Sequence, residues 1–172
     1  MSATLPQVLD AWRMVTARRS FEGRLPLAGM SRLKDLLLDP EGDCRYALEF
    51  GRDALGLNYV EVRAEAMLPL QCQRSLERFL HPAVVVQRLG LITDEAQEAA
   101  LPPEMEALLV DGSGEVHPAE LIEDELILAI PVVPIDPDSK ALAAESSVEE
   151  APEENDKPNP FAALAALKDR KK

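Results

Sequence analysis

The sequence contains few aromatic residues, only two cysteines and no long apolar run. One Trp, two Tyr and four Phe account for 4% of the 172 residues, whereas hydrophobic residues account for 47%. A core must therefore consist mainly of Leu, Val, Ile and Ala. No apolar stretch approaches the ~18 residues that a membrane-spanning helix requires, and no basic segment followed by an apolar one indicates export. Because Cys44 and Cys72 need no oxidising compartment, we expect a reduced, cytoplasmic protein that does not act at a membrane.

Basic residues are missing from a long stretch in the second half of the chain. Between Leu89 and Ser139 there is no Lys or Arg, against thirteen Asp and Glu. From Arg13 to Lys34 the balance is reversed, with Glu22 as the one acid and six basic residues: Arg13, Arg18, Arg19, Arg24, Arg32 and Lys34. The net charge of −13 argues against nucleic-acid binding by the whole surface. It leaves this local basic segment as a candidate site. The alternative is that both stretches are ordinary solvated faces, with Arg18 and Arg19 stabilising the end of a helix.

The first part of the chain is predicted to contain a helix, a strand and a second, short helix. Residues 5–17 carry apolar side chains at helical spacing, including Trp12, and Pro6 suits a first turn. Residues 20–27 alternate between apolar and polar side chains, which is typical of a strand. Ser31 can cap the short helix, whose inward side chains would be Leu33, Leu36 and Leu37.

The middle of the chain is predicted to be mostly strand. Residues 44–50 and 59–69 both alternate, and the loop between them is typical of an antiparallel pair. Residues 76–91 are one further strand or two, in which Pro82 marks an edge or a bulge. In this segment we expect three valines to be buried: Val84, Val85 and Val86. A short acidic helix at 93–100 with Thr93 as its cap, and a brief strand at 107–110, complete the region.

The last strongly apolar segment, residues 121–134, is predicted to close the domain with an amphipathic helix. Pro118 suits the first helical turn and Pro131 ends the helix. The inward side chains recur at helical spacing: Ile122, Leu126 and Ile130. On the solvent face we expect Glu120, Glu123 and Asp124. After the helix, Val132 and Val133 are expected to form a short extended or strand segment between prolines.

These elements predict one α+β domain in residues 1–135, with a curved, mostly antiparallel sheet and a few packed helices. Residues 136–158 have almost no large apolar side chain to offset their ordering entropy, so we predict a disordered acidic linker. Residues 159–172 are predicted to form a short terminal helix, started by Asn159 and Pro160, with a basic end. Its apolar side chains would dock on this domain or on a partner: Phe161, Leu164 and Leu167. The alternative is a fraying tail.

No catalytic motif is present in the sequence. It lacks a Gly-rich phosphate loop, a G-x-S-x-G elbow and an H-E-x-x-H pair. The carboxylates of residues 120–125 could bind a divalent ion, as those of nucleases do, although acids near a helix start are stabilising without a metal. Residues 72–75 look like a C-x-x-C motif in which Ser75 replaces the second cysteine, and too few Cys and His remain for a four-ligand zinc site. We therefore expect no catalytic residue, no cofactor and no metal site.

Three ordered motifs are similar to those of a known family. They are Cys72-Gln73-Arg74 after an alternating strand, ELILAIPVVP from Glu125 to Pro134, and KPNPFAALAALK from Lys157 to Lys168. Together they resemble the YceD family, whose members are described as large ribosomal RNA subunit accumulation proteins. The resemblance implies a bacterial cytoplasmic protein needed for the synthesis, processing or stability of 23S ribosomal RNA, without an established enzymatic activity or cofactor. Many relatives carry a second cysteine at Ser75 and further Cys or His near Asp136 and Asp138, so this chain departs from any metal site of the family.

Our first hypothesis from the sequence is a non-catalytic ribosome-biogenesis factor that binds ribosomal RNA or a pre-ribosomal particle. Arginine and lysine bind phosphates, and arginine also stacks on unpaired bases. The RNA-binding candidates are Arg13, Arg18, Arg19, Arg24, Arg32, Lys34 and Arg74, with Arg78 and Arg88 able to extend the same patch. A second hypothesis is an adaptor whose acidic face and terminal helix bind a ribosomal protein or an RNA-processing enzyme. A third is a metal-dependent nuclease that uses the carboxylates of residues 120–125.

Overall fold

The computed structural model describes residues 5–139 as seven strands and two α-helices with short 3₁₀ turns. The strands are β1 (Leu9–Asp10), β2 (Ser20–Pro26), β3 (Asp43–Arg52), β4 (Asn58–Gln71), β5 (Arg78–Ile92), β6 (Met105–Leu109) and β7 (Glu115–Val116). The helices are α1 (Ala11–Thr16) and α2 (Pro118–Leu128), and the 3₁₀ turns are Leu27–Gly29, Lys34–Leu36 and Glu95–Ala100. The predicted terminal helix, and all of the predicted linker beyond Ser139, lie outside the described residues. In residues 5–139, no helix is long and apolar enough to cross a membrane.

The main sheet has five strands in the order β2-β3-β4-β5-β6. The first four are joined by antiparallel pairing in chain order, and β6 pairs parallel with β5. β1 and β7 form a separate two-stranded antiparallel pair. The predicted α+β class with a mostly antiparallel sheet is confirmed, and so is the predicted antiparallel pair in residues 44–69.

One face of the sheet carries the core, because alternate residues of a strand point to opposite faces. On this packed face, cross-strand partners such as Leu48 and Val62 are fully buried. α2 packs against β4 and β5 and contributes Ile122 and Leu126, while α1 packs against β3 and contributes Val15. The opposite face, which we call the open face, consists largely of exposed side chains.

The predicted helix at residues 5–17 is shorter than expected. Leu9 and Asp10 pair with Val116 and Glu115 as β1, so the helix begins only at Ala11. The Asp10 carboxylate accepts a hydrogen bond from the backbone N–H of Arg13 at 3.0 Å, which is the usual contact of a helix cap. Apolar spacing did not reveal this boundary, because the competing strand partner lies about a hundred residues further along the chain.

Two other predicted helices are 3₁₀ turns. In the turn Glu95–Ala100, the cap is Asp94 instead of Thr93, since Asp94 Oδ1 accepts a hydrogen bond from the N–H of Ala96 at 2.8 Å. In the turn Lys34–Leu36, no side chain makes a capping hydrogen bond, and Leu36 is exposed instead of pointing inward. Turns this short form i→i+3 bonds and do not need a full amphipathic face.

The prediction that three consecutive valines of β5 are buried was wrong. Val85 lies half-buried on the packed face, whereas Val84 and Val86 on the open face are 70% and 64% exposed. Consecutive residues of one strand can all be buried only if both faces of the sheet are covered. The prediction for Pro82 is confirmed as an edge, because β6 pairs with β5 only from Arg88 onward.

The segment after α2 is not a strand. Val132 and Val133 lie in an irregular stretch and are 100% and 57% exposed. Pro131 and Pro134 lack the N–H group that a strand ladder requires. The segment is instead attached through its carbonyl groups, since Gln73 N–H donates to the carbonyl of Pro134 at 2.8 Å.

Candidate nucleic-acid interface

The open face brings together arginines from three strands. Arg24 on β2, Arg45 on β3 and Arg63 on β4 are all exposed and occupy the polar positions of their alternating strands. The surface around them is concave, with a cavity of about 610 Å³ whose lining also includes Glu22 and Glu65. A second concave region of about 350 Å³ continues from Arg24 and Arg45 toward β5.

Arg24 and Arg45 lie directly opposite each other in the β2–β3 ladder, and we call them the arginine pair. Like charges directly opposite each other across two strands are destabilising. Neither guanidinium lies within ion-pairing distance of a carboxylate in the described part of the chain, residues 5–139. Arg45 also lies opposite Glu65 in the β3–β4 ladder, but outside ion-pairing distance. An anionic ligand that contacts both guanidinium groups would reduce the repulsion that remains between them.

Arg63 and Arg88 are balanced by a carboxylate between them. Glu61, which is only 8% exposed, forms ion pairs with both guanidinium groups. The hydrogen bond from Arg88 lowers the pKa of Glu61, and this effect together with the Arg63 contact outweighs burial, which acts to raise it. Arg88 also stacks over the ring of Tyr59, 4.5 Å from its centre. These contacts organise one end of the open face.

The arginines predicted near the end of α1 are exposed. Arg13, Arg18 and Arg19 lie on or just after this helix, and Arg18 has a positive φ of 47° where the chain leaves it. Arg18 and Arg52 both line a cavity of about 290 Å³ beside Tyr59. Lys34 is exposed on its 3₁₀ turn.

Arg32 has a structural role that the sequence did not reveal. Its guanidinium forms ion pairs with Glu123 and Asp124 of α2. The backbone N–H groups of Arg32 and Leu33 also donate to Glu123 Oε1, at 2.7 Å and 3.0 Å. Burial acts to raise the pKa of Glu123, but these N–H groups and the guanidinium outweigh it and lower the pKa.

The expected position of Glu123 on the solvent face was therefore wrong, because it is 5% exposed. Of its neighbours, Glu120 is exposed and Asp124 is paired with Arg32, whereas Glu125 is buried. Burial, with the nearby charges of Glu106 and Asp124, raises the pKa of Glu125. No group of three or more His, Cys, Asp or Glu side chains in residues 5–139 is arranged to hold a metal ion.

Arg74 contacts the segment that follows α2. Its guanidinium donates to the carbonyl of Asp136 at 2.9 Å and to Ser139 Oγ at 2.8 Å. The thiol of Cys72 lies 3.3 Å from the same hydroxyl, and the N–H of Asp136 donates to its sulfur at 3.4 Å. Arg74 and Cys72 thus attach residues 136–139 to the β4–β5 turn.

The sequence did not single out Arg45 and Arg63, although both occupy polar positions of the alternating pattern. The pattern identifies the face of each residue, but it does not give the register that sets Arg45 beside Arg24. The partner-binding candidates Phe161, Leu164 and Leu167 lie outside the described residues.

Comparisons with known proteins identify relatives across nearly the whole chain. A family model described as "Large ribosomal RNA subunit accumulation protein YceD" matches residues 60–168, more than half of the chain. A Haemophilus influenzae protein described in the same words is 28% identical over 169 residues, which cover 96% of this chain and 97% of the relative. No solved structure matches the chain.

Proposed function

The chain belongs to the YceD family of large ribosomal RNA subunit accumulation proteins, and from this premise we propose that it supports the accumulation of 23S ribosomal RNA by binding the RNA or a precursor particle. It acts without catalysis, in the cytoplasm, and binding protects the RNA or assists its folding and processing.

The observation that carries the proposal is the arginine pair. Two exposed guanidinium groups lie opposite each other, and neither has a carboxylate within ion-pairing distance among residues 5–139. Phosphate groups are the natural ligands of such a pair, and neutralising them releases counterions. The exposed arginines at the end of α1 extend the basic surface. Arg32 and Arg74 already have partners within the chain, so we expect them to contribute less.

The test is binding of the purified full chain to fragments of 23S ribosomal RNA across a salt series. We expect affinity to fall steeply with salt, as phosphate contacts require. Arg45→Gln should weaken binding and reduce the slope of log affinity against log salt by about 1, the loss of one phosphate contact.

The matched control is Arg78→Gln. Arg78 is exposed, as Arg45 is, but its charge is already balanced by Asp39 and Glu41. We expect this variant to bind RNA nearly as tightly as the unchanged protein. Equal losses in the two variants, or no binding at low salt, would contradict direct contact through the open face. Cleavage of the RNA during long incubation with Mg²⁺ would contradict a non-catalytic role.

A further inference from the structure

In the part of the chain that the structure describes, the first two thirds of β5 pair with a strand on one side only. β4 pairs with β5 from Arg78 to Gly90, whereas β6 pairs with it only from Arg88 to Ile92. Among the residues that the structure describes, none hydrogen-bonds to the other side of the backbone between positions 78 and 87. We call residues 78–87 the free edge.

The free edge exposes apolar side chains and has few of the features that prevent a sheet edge from pairing with another strand. Val84 and Val86 are 70% and 64% exposed, and Leu80 is 46% exposed. Natural sheets usually protect an edge with lysine, proline or a bulge, and an unprotected edge accepts another strand. Here the sequence from 78 to 87 contains no lysine, and Pro82 is the one residue without an N–H donor. The stretch after Pro82 is therefore open to strand pairing.

An exposed carboxylate lies at one end of the free edge. β6 begins at Met105, opposite Arg88, so a strand placed along the free edge would lie in line with β6. Its end would meet the exposed Glu104, which directly precedes β6. The cation on β5 at this junction, Arg88, forms an ion pair with Glu61, which Glu61 shares with Arg63. A basic strand would be attracted here, and an acidic strand would be repelled.

We propose that the free edge binds an extended, basic peptide segment of a protein partner by addition of a strand to the sheet. Backbone hydrogen bonds supply the affinity, and alternate apolar side chains of the peptide lie on Val84 and Val86. RNA fits the edge less well because the two arginines that flank it, Arg78 and Arg88, are balanced by carboxylates. A second copy of the chain fits less well because each copy carries a net charge of −13. This interaction goes beyond the proposed RNA contact and does not depend on it.

The test uses the full chain and a synthetic, fluorescently labelled peptide as long as the free edge, with valine and lysine in alternation. Fluorescence anisotropy should show saturable binding, and hydrogen exchange should slow at residues 83–87. A peptide with glutamate in place of lysine should bind at least about tenfold more weakly, since its carboxylates at the end nearest β6 would be repelled by Glu104. A peptide methylated on the backbone nitrogens that face the edge should not bind, which tests strand pairing without any change to the protein.

Protein variants locate the site. Val84→Lys together with Val86→Lys should weaken peptide binding about tenfold or more, because lysine is a common edge protector. Leu55→Lys is the matched control, since Leu55 is 79% exposed in the β3–β4 turn, away from β5. The RNA affinity of the double variant should not fall, because Val86 lies beside Arg63 on the open face and the added lysines increase its positive charge. Loss of peptide binding without loss of RNA binding therefore separates failure of this site from failure of the proposed RNA contact.

Three results would overturn the proposal. The first is equal binding of the lysine, glutamate and methylated peptides. The second is sedimentation of the unchanged protein as a dimer that the double variant dissociates, which would assign the edge to a second copy. The third is loss of RNA binding in the double variant with no peptide binding by the unchanged protein, which would assign the edge to RNA.

Discussion

At the scale of single residues, the thiol pKa values of the two cysteines are shifted in opposite directions, although both side chains are fully buried. Burial raises the pKa of the Cys44 thiol to about 11. Burial also acts to raise the pKa of Cys72, but hydrogen bonds from the hydroxyls of Ser139 and Ser75 and from the N–H of Asp136 outweigh it and lower the pKa to about 6. At neutral pH Cys72 is therefore a thiolate and Cys44 is a thiol.

This difference predicts a resolved thiolate titration. Ultraviolet absorbance of the folded protein should show one thiolate forming near pH 6, the value to which Cys72 is lowered. Cys72→Ser should remove this step. Cys44→Ala should leave it in place, since Cys44 ionises only near pH 11. A first step at the ordinary thiol value of about 8.5 would show that the contacts with residues 136–139 are not made in solution.

Glu123 on α2 binds the backbone of the segment that follows β2, and we expect its removal to lower the free energy of unfolding. Glu123→Ala leaves the N–H groups of Arg32 and Leu33 without their acceptor, in a part-buried and a buried location, respectively. Buried donors without partners cost about 1–3 kcal/mol each, so we expect the free energy of unfolding to fall by about 2–4 kcal/mol. Denaturant unfolding measures this change.

Asp124→Ala is the control for Glu123. It removes an ion pair with the same Arg32, but the Asp124 side chain is 49% exposed. An exposed pair contributes less than about 1 kcal/mol. Similar losses in the two variants would show that the hydrogen bonds to the backbone are not what stabilises this contact.

At the scale of elements, α1 depends on its cap because it has only six residues. Helices this short are unstable alone. Asp10 caps the helix, and the turn before β7 closes against it, since an added Cβ at Gly114 would lie 2.7 Å from Asp10 Oδ1. Gly114 also has a positive φ of 76°. The cap therefore lies in direct contact with the turn that leads into β7.

The corresponding prediction is a loss of stability in Asp10→Ala. Replacing a capping Asp by Ala costs about 1 kcal/mol, and this change should appear in the free energy of unfolding measured with denaturant. Asp35→Ala is the control, because Asp35 is exposed and makes no capping contact. An equal effect of both substitutions would attribute the loss to charge instead of the cap.

At the scale of the whole molecule, the pattern of carboxylate contacts predicts loss of stability in acid. Contacts lower the pKa of Glu61 and Glu123 in the folded protein. Such groups add stability that is present above the unfolded carboxyl pKa of about 4.3 and is lost as the pH falls through the lower, folded value. The free energy of unfolding should therefore fall below about pH 4, and less steeply in Glu123→Ala.

Glu125 affects the free energy of unfolding in the opposite direction over the same pH range. Because its pKa is raised in the folded protein, the protonated form of Glu125 adds stability. This contribution is fully present below the unfolded pKa of about 4.3, and it is lost as the pH rises through the folded pKa. Glu125→Gln should therefore stabilise the protein at neutral pH, with a gain that disappears in acid. A loss of stability at neutral pH would mean that the Glu125 charge has a partner in solution.

Features of the fold that depend on residues close together in the sequence could be predicted, whereas features that depend on residues far apart in the sequence could not. The strands of residues 44–69 and the start of α2 at Pro118 followed from local pattern and from proline chemistry. The exposure of Val84 and Val86 did not, because three adjacent valines are equally consistent with a strand that is covered on both faces. The candidate site divides in the same way. Arg24 could be identified as basic and exposed, but not as the cross-strand neighbour of Arg45.

The sequence by itself determined the family resemblance, which rests on three ordered motifs. It also determined the α+β class, the alternating strands and the uneven distribution of charge, which are properties of composition or of short-range periodicity. Only the tertiary structure decided the register that makes the arginine pair, the contact between Arg32 and Glu123, and the edge of β5 that β6 leaves unpaired. Each of these depends on which segments distant in sequence pack together, and that choice is made by the free energy of the whole core.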